Sequence, residues 1–327
     1  MSTPNFEEFK FTGTDDVSLL AQTIANRVSI VVPTGEMLGD TEQKLMTFIT
    51  TPSNVAGDEV LVRLTEFADE NGRPSGAIFD SLIAESTRRR VISTNLPGID
   101  FYGDGSNKDG QKLTQEQAQD LRQGSFRMVG KSVMHATRNA STKLSIAPEF
   151  VILGTSMSAG IGAGVLNAAN KSSIPIKGAT FAEPTNVTPR SQLELGTHFL
   201  KAGLTAGGYV KMNPAILRDA SEPIATIAKR ALNPTNFLYA RALASGSLIE
   251  DLGSIDHLQD VPIYLARGAA SRVSPERGFD SLRKHLAQTA DVEAYTFGDQ
   301  RDNPHNHGYV LAVQPFIDAA QNVLDRQ

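Results

Sequence analysis

Ser156 lies in Gly154-Thr155-Ser156-Met157-Ser158, a small-x-Ser-x-small pentad that follows the apolar run Phe150-Val151-Ile152-Leu153 and precedes a stretch rich in glycine and alanine. A strand that runs into such a turn and then into a helix sets the serine hydroxyl on a sharp bend, clear of the backbone, where it can attack an electrophilic carbon. The flanking positions must be small, because larger side chains would clash across so tight a turn. Two residues on, Ser156-Met157-Ser158-Ala159-Gly160 fits the same pattern with Ser158 at its centre. Ser156 is preferred, because the strand runs straight into Leu153-Gly154 and leaves it at the apex. Pentads of this kind also occur as plain turns after strands.

A serine hydroxyl is a poor nucleophile at neutral pH and needs a neighbouring base. Six histidines are available: His135, His198, His257, His285, His305 and His307. His135 and His285 lie in helical patterns and are expected at the surface. His305 and His307 share a polar loop ahead of a closing helical pattern, Pro315 to Leu324. Two histidines at i, i+2 also suggest a metal site, but no carboxylate spacing completes a ligand set. A carboxylate must stabilise the imidazolium that forms, and Asp302 and, less well placed, Asp299 stand near the histidines in sequence.

The elements that would position these groups are apolar runs that end in turn signals. Residues 27–32 precede Pro33-Thr34-Gly35, 90–94 precede Asn95-Leu96-Pro97-Gly98, 150–153 precede the serine turn, and 261–266 precede Arg267-Gly268. Two weaker runs, 176–182 and 292–297, complete the set. Helical patterns such as 115–140 and 275–288 lie between them. Near-continuous apolar strands separated by helices predict an α/β architecture, doubly wound around a mostly parallel sheet covered on both faces. Residues 7–25 suggest an antiparallel hairpin at one edge. Pro214, Pro223 and Pro234 break the rhythm across 186–256. That segment reads as an inserted helical cap between core segments 1–185 and 257–327, or else as further crossover helices.

Composition narrows the function classes. With 327 residues, 40% hydrophobic and 20% charged, the chain can bury a substantial core. A net charge of −5 gives no electrostatic reason to expect nucleic acid or an anionic membrane as partner. The absence of cysteine excludes disulfides, thiol catalysis and Cys-ligated metals, and fits a reducing, cytoplasmic setting. Residues 1–16 show neither the basic nor the apolar region of a signal peptide, and no apolar stretch approaches the ~18–20 residues that span a bilayer. Arg88-Arg89-Arg90 reads as the end of a solvated helix. Gly103 to Asp109 lacks calcium-loop spacing, and Gly160-Ile161-Gly162-Ala163-Gly164 comes too late in its turn for a dinucleotide. No cofactor is expected.

Read in order, these segments resemble the α/β-hydrolase fold family, and the likeness covers most of the chain outside the cap. Leu96-Pro97-Gly98 looks like the turn after the family's fourth strand, and Leu153 to Ser158 like its nucleophile elbow. Val261 to Gly268 resembles the strand before the usual acid loop, and Asn306-His307-Gly308-Tyr309 the catalytic-histidine loop. The family order of nucleophile, acid and histidine favours His307, with His305 as the alternative.

The family's aspartate usually lies three residues after the glycine that closes the penultimate strand; here that position is Ser271, which cannot carry the charge. Some members carry the acid after the strand that follows the nucleophile helix. Phe181-Ala182-Glu183-Pro184 matches that place, so the resemblance implies Glu183, with Asp302 as a substitute. It also implies two oxyanion donors. One is the Met157 N–H; the other is the N–H of Glu36, or of Met37, in the loop after residues 30–32, where Thr34-Gly35 stands for the family's His-Gly pair.

Two functions stay open. The first is a serine hydrolase acting on a small or medium carboxylic ester, with Leu200, Leu204, Tyr209, Phe237 and Tyr239 offering an apolar pocket. The second is a binding or structural module with a degenerate site, which Ser271 and Thr34 favour. Perhydrolysis, C–C cleavage and amide hydrolysis are other reactions the same elbow serves. A homo-oligomer is compatible with either.

Overall fold

Six of the eight strands fall on the apolar runs in the computed structural model, which describes residues 21–65, 74–98, 112–146, 149–198, 234–253, 256–259, 261–298 and 313–327. The strands are β1 (Val28–Leu38), β2 (Thr41–Thr50), β3 (Val60–Leu64), β4 (Arg90–Thr94), β5 (Phe150–Thr155), β6 (Ile176–Ala182), β7 (Pro262–Gly268) and β8 (Asp291–Phe297). The helices are α1 (Pro74–Thr87), α2 (Gln115–Gln123), α3 (Arg127–Lys143), α4 (Ser158–Lys171), α5 (Pro234–Ser245), α6 (Leu248–Leu252), α7 (Glu276–Leu286) and α8 (Val313–Asp325).

One sheet results, in the order β1-β2-β4-β3-β5-β6-β7-β8. β1 and β2 pair antiparallel, β2 meets β4 antiparallel, and every pairing from β4 to β8 is parallel. Alternation sends successive side chains to opposite faces. Val60, Val62 and Leu64 of β3 face the core built with α3 and α4, whereas Leu61 faces the one built with α1 and α8. The doubly wound, mostly parallel sheet expected from the sequence is therefore present.

Several expected details differ. Pro33-Thr34-Gly35 does not end the first strand; β1 absorbs it as an irregularity in register between Pro33 and Met37, and the turn falls at Gly39-Asp40. The antiparallel hairpin is β1–β2 rather than residues 7–25, of which 21–25 are helical and the rest lie outside the described residues. β2 and β3 were not expected as strands. β3 was disguised by Arg63, its penultimate residue, which is buried and donates from Nε to Asp80 Oδ1 at 2.5 Å. Arg27 and Ser93 donate to Oδ2 of the same carboxylate, at 2.6 and 2.7 Å. A charge inside a sheet survives only with such partners, and removing one typically costs about 3–5 kcal/mol.

α4 is the element that matters most for chemistry. It is buried along nearly its whole length, including Ile161, Val165 and Leu166. Side chains of this kind contribute about 1.5–3 kcal/mol each on full burial. Its close approach to α3 requires glycine: a Cβ on Gly164 would stand 2.6 Å from the Phe126 carbonyl oxygen and 3.1 Å from Gly130 Cα. The helix start is thereby fixed against the end of β5.

Between β6 and β7, the described parts of the expected cap are a helical segment over 192–198, then α5 and α6. Tyr239 of α5 is fully buried, and its hydroxyl donates to the Pro97 carbonyl at 2.8 Å, docking the helix on the Leu-Pro-Gly turn. Burial holds that phenol well above its ordinary pKa. Asp251 of α6 accepts from the Phe126 N–H ahead of α3 at 3.0 Å, and burial raises its carboxyl. Phe237 is half exposed. Leu200, Leu204 and Tyr209 lie outside the described residues. Among the described residues, no helix is long and apolar enough to cross a membrane.

Candidate active site

The turn after β5 is built as the pentad demands. Thr155 still pairs with Ala182 of β6, and the Ser156 N–H donates to the Ala182 carbonyl at 2.8 Å. The chain then reverses: Ser156 has φ +51°, Met157 is already right-handed helical, and α4 begins at Ser158. A Cβ on Gly154 would lie 3.1 Å from the Ser158 carbonyl oxygen and 3.2 Å from Ala159 Cα, so the small residue before the serine has its steric reason.

The two candidate serines are sharply distinguished. Ser158 Oγ accepts from the Thr155 N–H and donates to the Thr155 carbonyl, both at 2.7 Å. Its one proton and a lone pair are committed to closing the turn. Ser156 stands at the apex, between strand and helix.

Positive φ singles out a second residue. Among the described residues, five that are not glycine have it: Arg88, Ser145, Ser156, Ser173 and Glu183. Arg88, Ser145 and Ser173 lie just beyond α1, α3 and α4, where a left-handed residue is the ordinary end of a helix. Ser156 and Glu183 instead end neighbouring parallel strands. Such a conformation costs about 1–3 kcal/mol and persists where the surroundings impose it, often at functional sites.

Glu183 is fully buried, and its N–H donates to the Ala266 carbonyl of β7 at 2.7 Å. Its side chain crosses to the loop after β7, where Oε1 accepts from the Gly268 N–H and Oε2 from Ser271 Oγ, each at 2.5 Å. Ser271, expected only as a failed acid, is thus a donor to the carboxylate. Sequence reasoning missed this contact, although two departures from one pattern, a serine at 271 and a glutamate at 183, were its signal.

The Met157 N–H lies at the start of α4, where amides have no carbonyl partner within the helix and the helix dipole is positive. Glu36 is not its counterpart. It lies in β1, four strands from β5, which at about 4.8 Å per strand amounts to roughly 19 Å. Its N–H donates to Thr34 Oγ1 at 3.2 Å, and its carboxylate pairs with Lys131 at 2.9 Å. Met37 shares that strand. The loop after the third strand begins at Thr65, and its residues 66–73 lie outside the described residues.

His305, His307, Asp302 and Asp299 also lie outside the described residues. They follow β8 in the chain, and β8 ends at the same edge of the sheet as β5, β6 and β7. Of the other histidines, His135 is half-buried with Nδ1 3.0 Å from the Thr34 carbonyl oxygen, far from the elbow. His285 is half-buried on α7, and burial lowers its pKa.

An eight-stranded sheet in this order, with a serine elbow after β5 and helices on both faces, is the α/β-hydrolase fold. Solved structures agree at the level of the fold. A thermostable carboxyl esterase from Bacillus coagulans is similar with a TM-score of 0.53 at 11% identity, covering 91% of this chain and 99% of its own. An arylesterase is similar with a TM-score of 0.52 at 12% identity, covering 96% and 90%. A bacterial heroin esterase gives 0.51 at 16% identity, covering 95% and 90%. No protein-family model matches the sequence, and neither does any curated protein.

Proposed function

We propose that the protein is a serine hydrolase that cleaves a carboxylic ester of a small molecule through an acyl-enzyme. One observation carries this reading: Ser156 and Glu183 hold left-handed backbone at adjacent strand ends, one presenting a hydroxyl and the other a buried carboxylate. The esterases named above, similar in fold, are consistent with it.

In the proposed reaction Ser156 Oγ attacks the ester carbonyl while His307 takes its proton, with His305 as the alternative base. Glu183 accepts from the imidazolium and holds its orientation. The oxyanion is held by the Met157 N–H and by a donor from the loop after β3. Collapse expels the alcohol, which leaves with the proton from histidine. Water, deprotonated by the same histidine, then attacks the acyl group, releasing the acid and restoring Ser156. Residues 186–256 serve as the cap that shapes the acyl or alcohol pocket.

The competing reading, a degenerate fold kept for binding, drew on Ser271 and Thr34. Ser271 donates to a carboxylate, and Thr34 lies in β1 rather than beside the elbow, so neither weighs against catalysis. A fluorophosphonate probe tests the proposal. Wild type and Ser158→Ala should label covalently, the latter more slowly, and Ser156→Ala should not. An unlabelled wild type sinks the hydrolase reading, and label that persists in Ser156→Ala moves the nucleophile.

A further inference from the structure

The carboxylate of Glu183 sits where two loops meet, and its surroundings explain why residue 271 is a serine. The side chain starts on the strand end of β6, yet both oxygens are bound by the turn after β7, through the Gly268 N–H and Ser271 Oγ. Ser271 is itself buried and has one proton to give. Its oxygen also accepts the Ser274 N–H at 3.2 Å, and its own N–H donates to the Gly268 carbonyl at 3.0 Å. The amide of Ser274 occupies a lone pair, so the hydroxyl proton is left for Glu183. The same turn is braced by Arg267, whose Nε donates to the Ser274 carbonyl at 3.3 Å.

We infer that Ser271 is a positioning residue for the catalytic acid: the carboxylate that would ordinarily grow from position 271 comes instead from Glu183, and Ser271 clamps it there. The inference rests on the hydrolase reading above. A glutamate has one more rotatable bond than an aspartate, so a buried one needs both oxygens held to keep a fixed direction toward histidine. A serine at 271 supplies a donor with no charge. An aspartate there would set a second carboxylate within hydrogen-bond distance of the first, and two such groups cannot both ionise. Glu183 and residue 271 are therefore alternative seats for one negative charge, occupied one at a time.

The test uses the full chain, hydrolysis of p-nitrophenyl acetate for kcat and KM, and the rate of fluorophosphonate labelling. Ser271→Ala should lower kcat about 10- to 100-fold, the scale seen when the outer-shell partner of a metal-ligating residue is removed, with KM little changed. Ser271→Thr keeps the hydroxyl and should restore most of the loss, which a purely steric role would not allow. Ser271→Asp alone should lose activity and push the acidic limb of its pH profile upward, because one proton must be shared between two carboxylates. The decisive variant is Glu183→Gln with Ser271→Asp, which should exceed Glu183→Gln alone by at least about tenfold, since an absent triad acid costs on the order of 10⁴. Wild type that neither labels nor turns over would remove the hydrolase reading and this inference with it. Wild type that is active, beside a Ser271→Ala of unchanged kcat and a double variant no better than Glu183→Gln, overturns the inference alone.

Discussion

The β1–β2 hairpin and the ends of β5 and β6 solve the same geometric problem with different residues. Both need the backbone to enter the left-handed region. In the hairpin the work falls to Gly35 at φ +78° and Gly39 at φ +62°, residues for which that region carries no Cβ penalty. At the strand ends it falls to Ser156 and Glu183, which do bear a Cβ. The difference separates a turn that only has to turn from one that has to carry a side chain to a defined place. In the proposed hydrolase, strain accepted at a strand end by a residue with a hydroxyl or a carboxylate is where the fold gives up stability for chemistry.

The largest test of that contrast is Ser156→Gly. Turnover should fall by about 10⁶, the scale on which a serine nucleophile acts with its partners. The unfolding free energy should rise at the same time by about 1 kcal/mol, because glycine relieves the left-handed strain. Chemical denaturation beside the ester assay reads both quantities. A variant that lost activity and also lost more than about 1 kcal/mol would mean that Ser156 is there for structure, and the contrast with the hairpin would collapse.

The reciprocal change is Gly39→Ala. No atom lies within 4 Å of a Cβ built at Gly39, so the substitution meets only its own backbone. It should cost about 1 kcal/mol of stability and leave turnover unchanged. Equal Tm values for Gly39→Ala and wild type would show that the hairpin tip relaxes its φ freely, and the argument from positive φ would weaken at Ser156 too.

How much of this was legible in the sequence follows from how far apart the interacting residues are. The elbow is local: an apolar strand, a small residue, a serine and a helix start lie within a dozen positions, and each leaves a compositional trace. The clamp on Glu183 is not local, since Ser271 lies 88 positions away and only the pairing of β6 with β7 brings the two together. The misplaced oxyanion donor has a single cause. β2 mixes apolar residues with polar ones, of which Gln43, Thr47 and Thr50 are buried, and β3 hides a buried arginine, so neither reads as an apolar run. With both hidden, the loop after the first strand looks in the sequence like the loop after the third. The missing strands displaced Glu36 by the width of half a sheet.

That displacement defines the smallest and cleanest expectation, Glu36→Gln. The Glu36 carboxylate is almost fully buried, while its partner Lys131 is 43% exposed, so the ion pair sits at the edge of solvent. Pairs of this kind are worth about 0.2–1 kcal/mol. Glutamine keeps the shape and the amide N–H bond to Thr34, so the loss of stability should stay within that range. The kcat on p-nitrophenyl acetate should be the wild-type value to within about twofold, because roughly four strand spacings of 4.8 Å separate β1 from β5. A tenfold fall in kcat with stability intact would return the hairpin to the active site. It would also require the proposed donor after β3 to be replaced by one from β1, and the contrast between a turn that turns and a turn proposed to carry chemistry would then run through the wrong pair of regions.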